Sequence, residues 1–205
     1  TKNIESVSNR LEELPKVDGL TLPMVVTLVE RGFNKLLEYN LSQESIDKIS
    51  AHTHYLTLGV AQRVQEYCER LAYKLEDARL VFSPDRLKEA DADWLSIGLR
   101  QAYTVIESHL NSKDTTVGRR NQVIYCIGRM TGHQIDSTGV SDRIRTEFPT
   151  TAKGSNMGVA SILAELASSD PPFLRKNPKT KDYRVVDPRY LMCVRVMLSK
   201  VPITG

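Results

Sequence analysis

Cysteine is scarce: three in 205 residues, Cys68, Cys126 and Cys193, far apart and odd in number. That spacing excludes a disulfide framework, and each falls in an apolar helical pattern, so buried free thiols in a reducing cytosol are expected. The hydrophobic runs are all far too short to cross a bilayer, and no charged stretch followed by an apolar one marks a secretory leader. Neither membrane insertion nor secretion is expected, and a cytoplasmic or nucleoid-associated location is. Also missing is any G-x-x-x-x-G-K-[ST] run or hydrophobic strand ending in Asp-Glu. Without the backbone cradle and lysine that hold a nucleotide's phosphates, this chain is expected neither to bind nor to hydrolyse ATP. No enzyme activity and no cofactor are therefore expected of it.

Metal chemistry is poorly provided for. His52 and His54 with Cys68 are the best ligand set, and two histidines at i, i+2 fall short of the three or four converging ligands zinc needs. Asp91 and Asp93 lack a second acidic cluster and read as charge at a helix N-terminus. Tyr183 and Tyr190 can stack on bases, although packing against a core is the commoner use.

The net charge of +3 conceals an asymmetry. Residues 1–112 hold 13 Lys+Arg against 17 Asp+Glu, a balance of −4, while 113–205 hold 15 against 8, a balance of +7. A basic half attached to an acidic one suggests a scaffold carrying a module that meets a polyanion. The alternative is a basic face that is merely solvated.

The chain reads as mainly α-helical. Ile4, Val7, Leu11 and Leu14 form a stripe ended by Pro15 and Asp18-Gly19. The pattern resumes at Leu22-Pro23 with Val25, Val29, Phe33, Leu36 and Leu37, interrupted by Gly32. Ser42 caps a short helix to about His52. Val60, Val64, Tyr67, Cys68, Leu71 and Leu75 then give one buried face of a helix opening after Gly59. Residues 80–85 form a break, 87–94 a short helix, and Trp94 to Leu110 mark a long one. Polar residues 113–117 are the expected linker, and Arg119-Arg120 opens a helix burying Val123, Ile124 and Ile127.

Residues 136–198 carry the most information. Val140, Ile144 and Phe148 place a helix with Ser137 or Thr138 as N-cap and Pro149 as its stop. A turn over 150–154 leads to a second helix from about 156 to 167, burying Ile162, Leu163 and Leu166. Phe173-Leu174-Arg175-Lys176 and Tyr183-Arg184-Val185-Val186 then flank a basic loop with turn chemistry at Asn177-Pro178. Asp187-Pro188 ends the second strand, and an apolar helix closes the chain. Helix, turn, helix, hairpin is the element order of a winged helix. The chemistry of DNA contact then falls to Lys153, Ser155, Asn156 and Ser161 on the second helix, and to Arg175, Lys176, Lys179, Lys181 and Arg184 on the wing. The helix body has no Arg or Lys and carries Glu165, so phosphate contact outweighs base readout.

The run Leu58-Gly59-Val60-Ala61-Gln62-Arg63, set before such a module, resembles the lid of AAA+ and related STAND ATPases. Origin-recognition and Cdc6-like initiators share that order, a helical lid joined to a winged helix. The resemblance spans about 20–198 and implies a lid-like domain at 1–112 and a winged-helix domain at 118–205. It implies a nucleotide-sensing position at Gln62 or Arg63, an ATPase core with ATP and Mg in a parent protein upstream of Thr1, and double-stranded DNA and neighbouring protomers as partners. Two other settings fit the same module: a protein-contact or autoinhibitory element of a STAND-type signalling or defence ATPase, and a free-standing transcription regulator.

Overall fold

In the computed structural model, residues 18–110, 118–130, 134–152 and 157–198 are described. Proline explains where the first helix begins: α1 (Leu22–Glu30) carries Pro23 in its first turn, where a missing N–H costs nothing. Val25, Val29 and Phe33, four apart, are its buried face. The expected continuation to Leu36 and Leu37 is not buried. The helix widens into a π-helical turn over Arg31–Leu36, which adds a residue to the turn and carries the stripe outward, leaving Leu36 80% exposed. Asn34 then clamps Leu41 through both amide atoms, at 2.7 and 2.9 Å, and sets the reversal into α2.

Helix α2 (Gln43–Thr57) is capped by Ser42, whose hydroxyl accepts from the Ser45 amide. It outruns the expected end at His52 because Leu56 still points into the core. Leu58 and Gly59, both at positive φ, end it, and the Gly59 carbonyl accepts from Leu20 N at 2.7 Å. A side chain at Gly59 would collide with the Leu20 carbonyl, so only glycine closes this corner. Helix α3 (Ala61–Asp77) buries Val64, Tyr67, Leu71 and Leu75, as the periodicity predicts, with Val60 outside it and exposed.

The next segment departs from the sequence reading. Helix α4 (Pro84–Asp93) starts at Ser83-Pro84, earlier than expected, and α5 (Arg100–His109) is separate from it. Between them a π-helical turn, Trp94–Gly98, buries the only tryptophan, and Leu99 leaves helical geometry. Trp94 packs edge-on against Tyr67 at 5.5 Å, so burying its ring sets the path in place of one long helix.

After α6 (Arg119–Arg129) come α7 (Ser137–Glu147), α8 (Val159–Ser168), strands β1 (Leu174–Lys176) and β2 (Tyr183–Val185), and α9 (Pro188–Met197). The strands pair antiparallel, with Leu174 opposite Val185, Arg175 opposite Arg184 and Lys176 opposite Tyr183. Ile135, just before α7, bridges the outer side of β2 through two bonds with Tyr183 of 2.9 and 2.7 Å. The hairpin is thereby tied to the start of α7. The chain is mainly α, with one two-stranded sheet among the described residues.

The two halves touch. Helix α9 packs on α5 and α6 and reaches α2. Arg195 on α9 donates to the Gly128 carbonyl at 2.6 Å and to the Tyr55 carbonyl of α2, with its guanidinium 4.5 Å above the Tyr55 ring. His109, at the end of α5, donates to the Pro171 carbonyl, and its own carbonyl accepts from Arg120. The expected linker, 113–117, lies outside the described residues. Among those described, no helix is long and apolar enough to cross a membrane.

Candidate nucleic-acid interface

The site is built on the cap of α7. Asp136 holds that position, not Ser137 or Thr138: one carboxylate oxygen accepts from the amides of both Thr138 and Gly139 at 2.9 Å. A carboxylate can take two donors at a helix N-terminus and also favours its positive end, which a hydroxyl matches less well. Val140 and Ile144 are buried as expected, and Phe148 stacks edge-on against Tyr125 at 5.1 Å.

Lys153, Ser155 and Asn156, three of the four expected contact residues before and on the second helix, lie outside the described residues. Helix α8 begins at Val159, after Gly158 at φ +64, three residues later than expected. The shift makes Val159, Leu163 and Leu166 its buried face and leaves Ile162 only half-buried. Ser161 is exposed, beside Ala160, Ala164, Glu165 and Ser168. That outward face is small and carries no cation, and Glu165 is engaged by Arg120 at 2.9 Å. A face of this kind allows close approach to a surface but supplies little attraction of its own.

The attraction lies on the hairpin. Arg175, Lys176, Lys179, Lys181 and Arg184 are all exposed. The loop holding the two lysines is set by Asn177, which accepts Lys179 N on its side chain, accepts Lys181 N on its carbonyl and donates its own N–H to the Asp182 carbonyl. Alternation in the strands turns Leu174 inward and puts Arg175 and Arg184 directly across from one another on the outer face. Like charges so placed repel, at a cost of a few tenths of a kcal/mol or more. Among the described residues no carboxylate forms an ion pair with any of the five. This cross-strand arginine pair was readable in the alternation of Leu174-Arg175 against Arg184-Val185, once the register was known.

Gln62 and Arg63 sit in the first turn of α3. Both are bonded to Glu66, Gln62 at 3.0 Å and Arg63 at 2.6 Å, and Arg63 also approaches the Gly98 carbonyl at 3.4 Å. With its side chain 18% exposed, the Arg63 charge is met inside the fold. Asp91 and Asp93 lie at the C-terminal end of α4, not at a helix N-terminus. They act as acceptors: Asp91 takes the Tyr67 hydroxyl at 2.7 Å and faces His52 Nε2 at 2.9 Å, and Asp93 pairs with Lys74 at 2.6 Å. Burial first, and then the Asp91 carboxylate, push the Tyr67 hydroxyl's pKa up.

Among the described residues no group of three or more His, Cys, Asp or Glu side chains is arranged to hold a metal ion. None of the three cysteines is in a disulfide; Cys126 and Cys193 are buried and Cys68 half-buried. Burial pushes the Cys68 and Cys193 thiols up to about 12, so neither is a thiolate nucleophile near neutrality. Tyr183 is buried within the hairpin, at the start of β2, and Tyr190 packs on Phe173 with ring centres 6.0 Å apart.

Comparison with known proteins finds no matching family model, no matching curated protein and no matching solved structure.

Proposed function

We propose that residues 118–198 form a winged helix that holds duplex DNA mainly by its phosphates, with α8 as the helix presented to the groove and the β1–β2 hairpin as the wing. The observation that carries this reading is the outward pair Arg175 and Arg184, set side by side with Lys176, Lys179 and Lys181 and left without carboxylate partners among the described residues. Five exposed cations on a short hairpin repel one another until a polyanion covers them. The element order supports it too: a helix, a bridging strand at Ile135, two helices, and a hairpin whose second strand pairs with that bridge. The neutral face of α8 gives shape rather than sequence readout, so discrimination among sequences is weak.

In the wider setting, the module is the distal arm of a AAA+ or STAND-type ATPase of the initiator-like kind. The helices of 18–110 act as its lid, and the ATPase core belongs to a parent protein. On this proposal the chain does no chemistry. Its contribution is mechanical, passing a change in the lid through α9 to the wing. Because Arg63 is held by Glu66, nucleotide sensing at Gln62 or Arg63 would require that ion pair to open.

A second reading has its own support. The small outward residues Ala160, Ser161 and Ala164 of α8 suit close packing on a protein as well as on a groove. In that case the module is an autoinhibitory or protomer contact.

Fluorescence anisotropy of the chain with a labelled duplex, at several salt concentrations, separates the two. On the DNA reading, log affinity falls with log salt by about 0.9 for each phosphate neutralised, a slope on the order of −3 to −5 for a wing of this charge. Exchanging Lys179 and Lys181 for Glu weakens binding to all sequences alike and flattens the slope. Absence of binding at low salt removes the DNA reading and leaves the protein contact.

A further inference from the structure

Two helices start from the corner at Gly59. Leu20, two residues before α1, bonds to Gly59, two before α3, and Gly19 lies close against the Leu58 and Gly59 backbone. Between the two helices is an apolar groove of about 300 Å³, lined by Leu28, Gly32, Leu36 and Leu37 on one side and by Cys68 and Ala72 on the other. The π-helical turn shapes it. By turning Leu36 and Leu37 outward, 80% and 47% exposed, it raises an apolar wall, and at Gly32 it leaves a gap where a methyl would meet nothing within 4 Å. Leucines left in water beside an open apolar groove forfeit the burial that drives folding.

We infer that the occupant of this groove is the chain's own segment 1–17, which lies outside the described residues, seated through Ile4, Val7, Leu11 and Leu14. Their spacing puts the four on one face of a helix that Pro15 ends. Attachment and length both argue for it. The segment joins the described structure at Asp18 and Gly19, at the corner from which the groove's two walls start. The lining begins at Gln65 of α3 and Leu28 of α1, roughly 6–9 Å from that corner at the helical rise, and runs for about 10–14 Å. The link from Leu14 to Gly19 reaches up to about 17 Å when extended, and a helix from Ile4 to Leu14 is about 15 Å long. The segment therefore reaches the groove and matches its length. Arg10, between Val7 and Leu14 at helical spacing from both, borders the stripe and brings a charge opposite to exposed Glu69 on the groove's edge. Tethering also favours this occupant, because it holds the segment at an effective concentration in the millimolar range, which a second copy or a free partner does not match. Seated there, the segment bridges α1 and α3. The assignment does not depend on DNA being the partner.

The test is thermal unfolding of the full chain. Leu11→Glu should lower the melting temperature, because a segment that binds only the folded state stabilises it. Asn9→Glu, which adds the same charge on the face opposite the stripe, should leave it unchanged. Gly32→Leu is the sharper variant. On an empty groove it replaces a poor helix former and fills apolar space, so it raises the melting temperature. On an occupied groove it puts one leucine where four apolar side chains were seated, and lowers it. It should therefore destabilise the wild type, yet stabilise the Leu11→Glu chain, in which the segment is already released. A Leu11→Glu chain that melts with the wild type overturns the assignment, and so does a Gly32→Leu variant that melts higher in both backgrounds. Sedimentation velocity on the same samples tests for a second copy: the same monomer in every variant is expected, and a dimer that Gly32→Leu dissolves overturns the assignment to the chain's own segment.

Discussion

His109 links a single ring to the stability of the whole chain. It is 4% exposed, donates to the Pro171 carbonyl at 3.0 Å and packs 6.0 Å from Phe173. Burial holds its pKa below the ordinary histidine value; the Pro171 bond works against this and nearby Arg120 adds to it. The folded state thus keeps the ring neutral where the unfolded chain, with a pKa of about 6.5, takes up a proton. Stability from this residue is complete above about pH 6.5 and is lost as pH falls from there toward the lowered folded value. Denaturant midpoints followed from pH 8 to pH 5 check this, with His109→Gln as the reference. Glutamine keeps a donor without the titration, so the fall in midpoint should be shallower in the variant. Gly128 is a second such point. A methyl there would run into the Val194 side chain, which is branched and cannot turn aside, where α6 meets α9. Gly128→Ala should gain about 1 kcal/mol of helix propensity and lose about 1–3 kcal/mol to overpacking, a net destabilisation. Adding Val194→Ala should recover part of it, and urea unfolding of the two single variants and the double gives the coupling.

At the scale of elements, the first turn of α7 rests on a single side chain, Asp136, which accepts from two of its amides. Asp136→Ala frees the amides of Thr138 and Gly139 and should cost about 1 kcal/mol, read as a lower unfolding midpoint and faster amide exchange in the first turn of α7. The position of α7 was legible because Val140 and Ile144 repeat at helical spacing before Pro149; its cap was not, because Asp136, Ser137 and Thr138 are all good cap residues and only the geometry chooses. The hairpin was legible for a similar reason, since Asn177-Pro178 marks a turn between alternating runs. Two π-helical turns were not. Phe33, Leu36 and Leu37 continue a helical stripe on paper, and nothing in residue type says that the turn will widen and expose Leu36. The broken helix at Leu99 has the same cause, because the Trp94 ring finds its place against Tyr67, a residue 27 positions earlier. Helix α8 started late because a positive φ at Gly158 ends the turn, and glycine alone does not reveal the sign of its φ.

Across the whole molecule, the charge of −4 in the first half and +7 in the second would suit two bodies that act apart, yet α9 joins them. Arg195 is the polar centre of that joint, spanning from the Gly128 carbonyl of α6 to the Tyr55 carbonyl of α2. Burial and the proximity of Arg129 lower its pKa, although a guanidinium stays charged, so its two carbonyl partners are what offset its desolvation. Hydrogen bonds from a charged group are worth about 1.5–3 kcal/mol. Trp94, the sole tryptophan, lies in the first half, so its fluorescence reports that half while far-ultraviolet circular dichroism reports every helix. If the joint makes the halves one cooperative unit, the two signals follow one urea transition in the wild type. Arg195→Leu keeps much of the apolar stem and removes both bonds. The transitions should then separate, with helix lost outside the Trp94 environment before the fluorescence changes. Coincident transitions in the variant would mean that apolar packing of α9 on α5 and α6 couples the halves without Arg195. In the mechanical role proposed for the chain, that packing alone would then carry any movement from the helices of 18–110 to the wing.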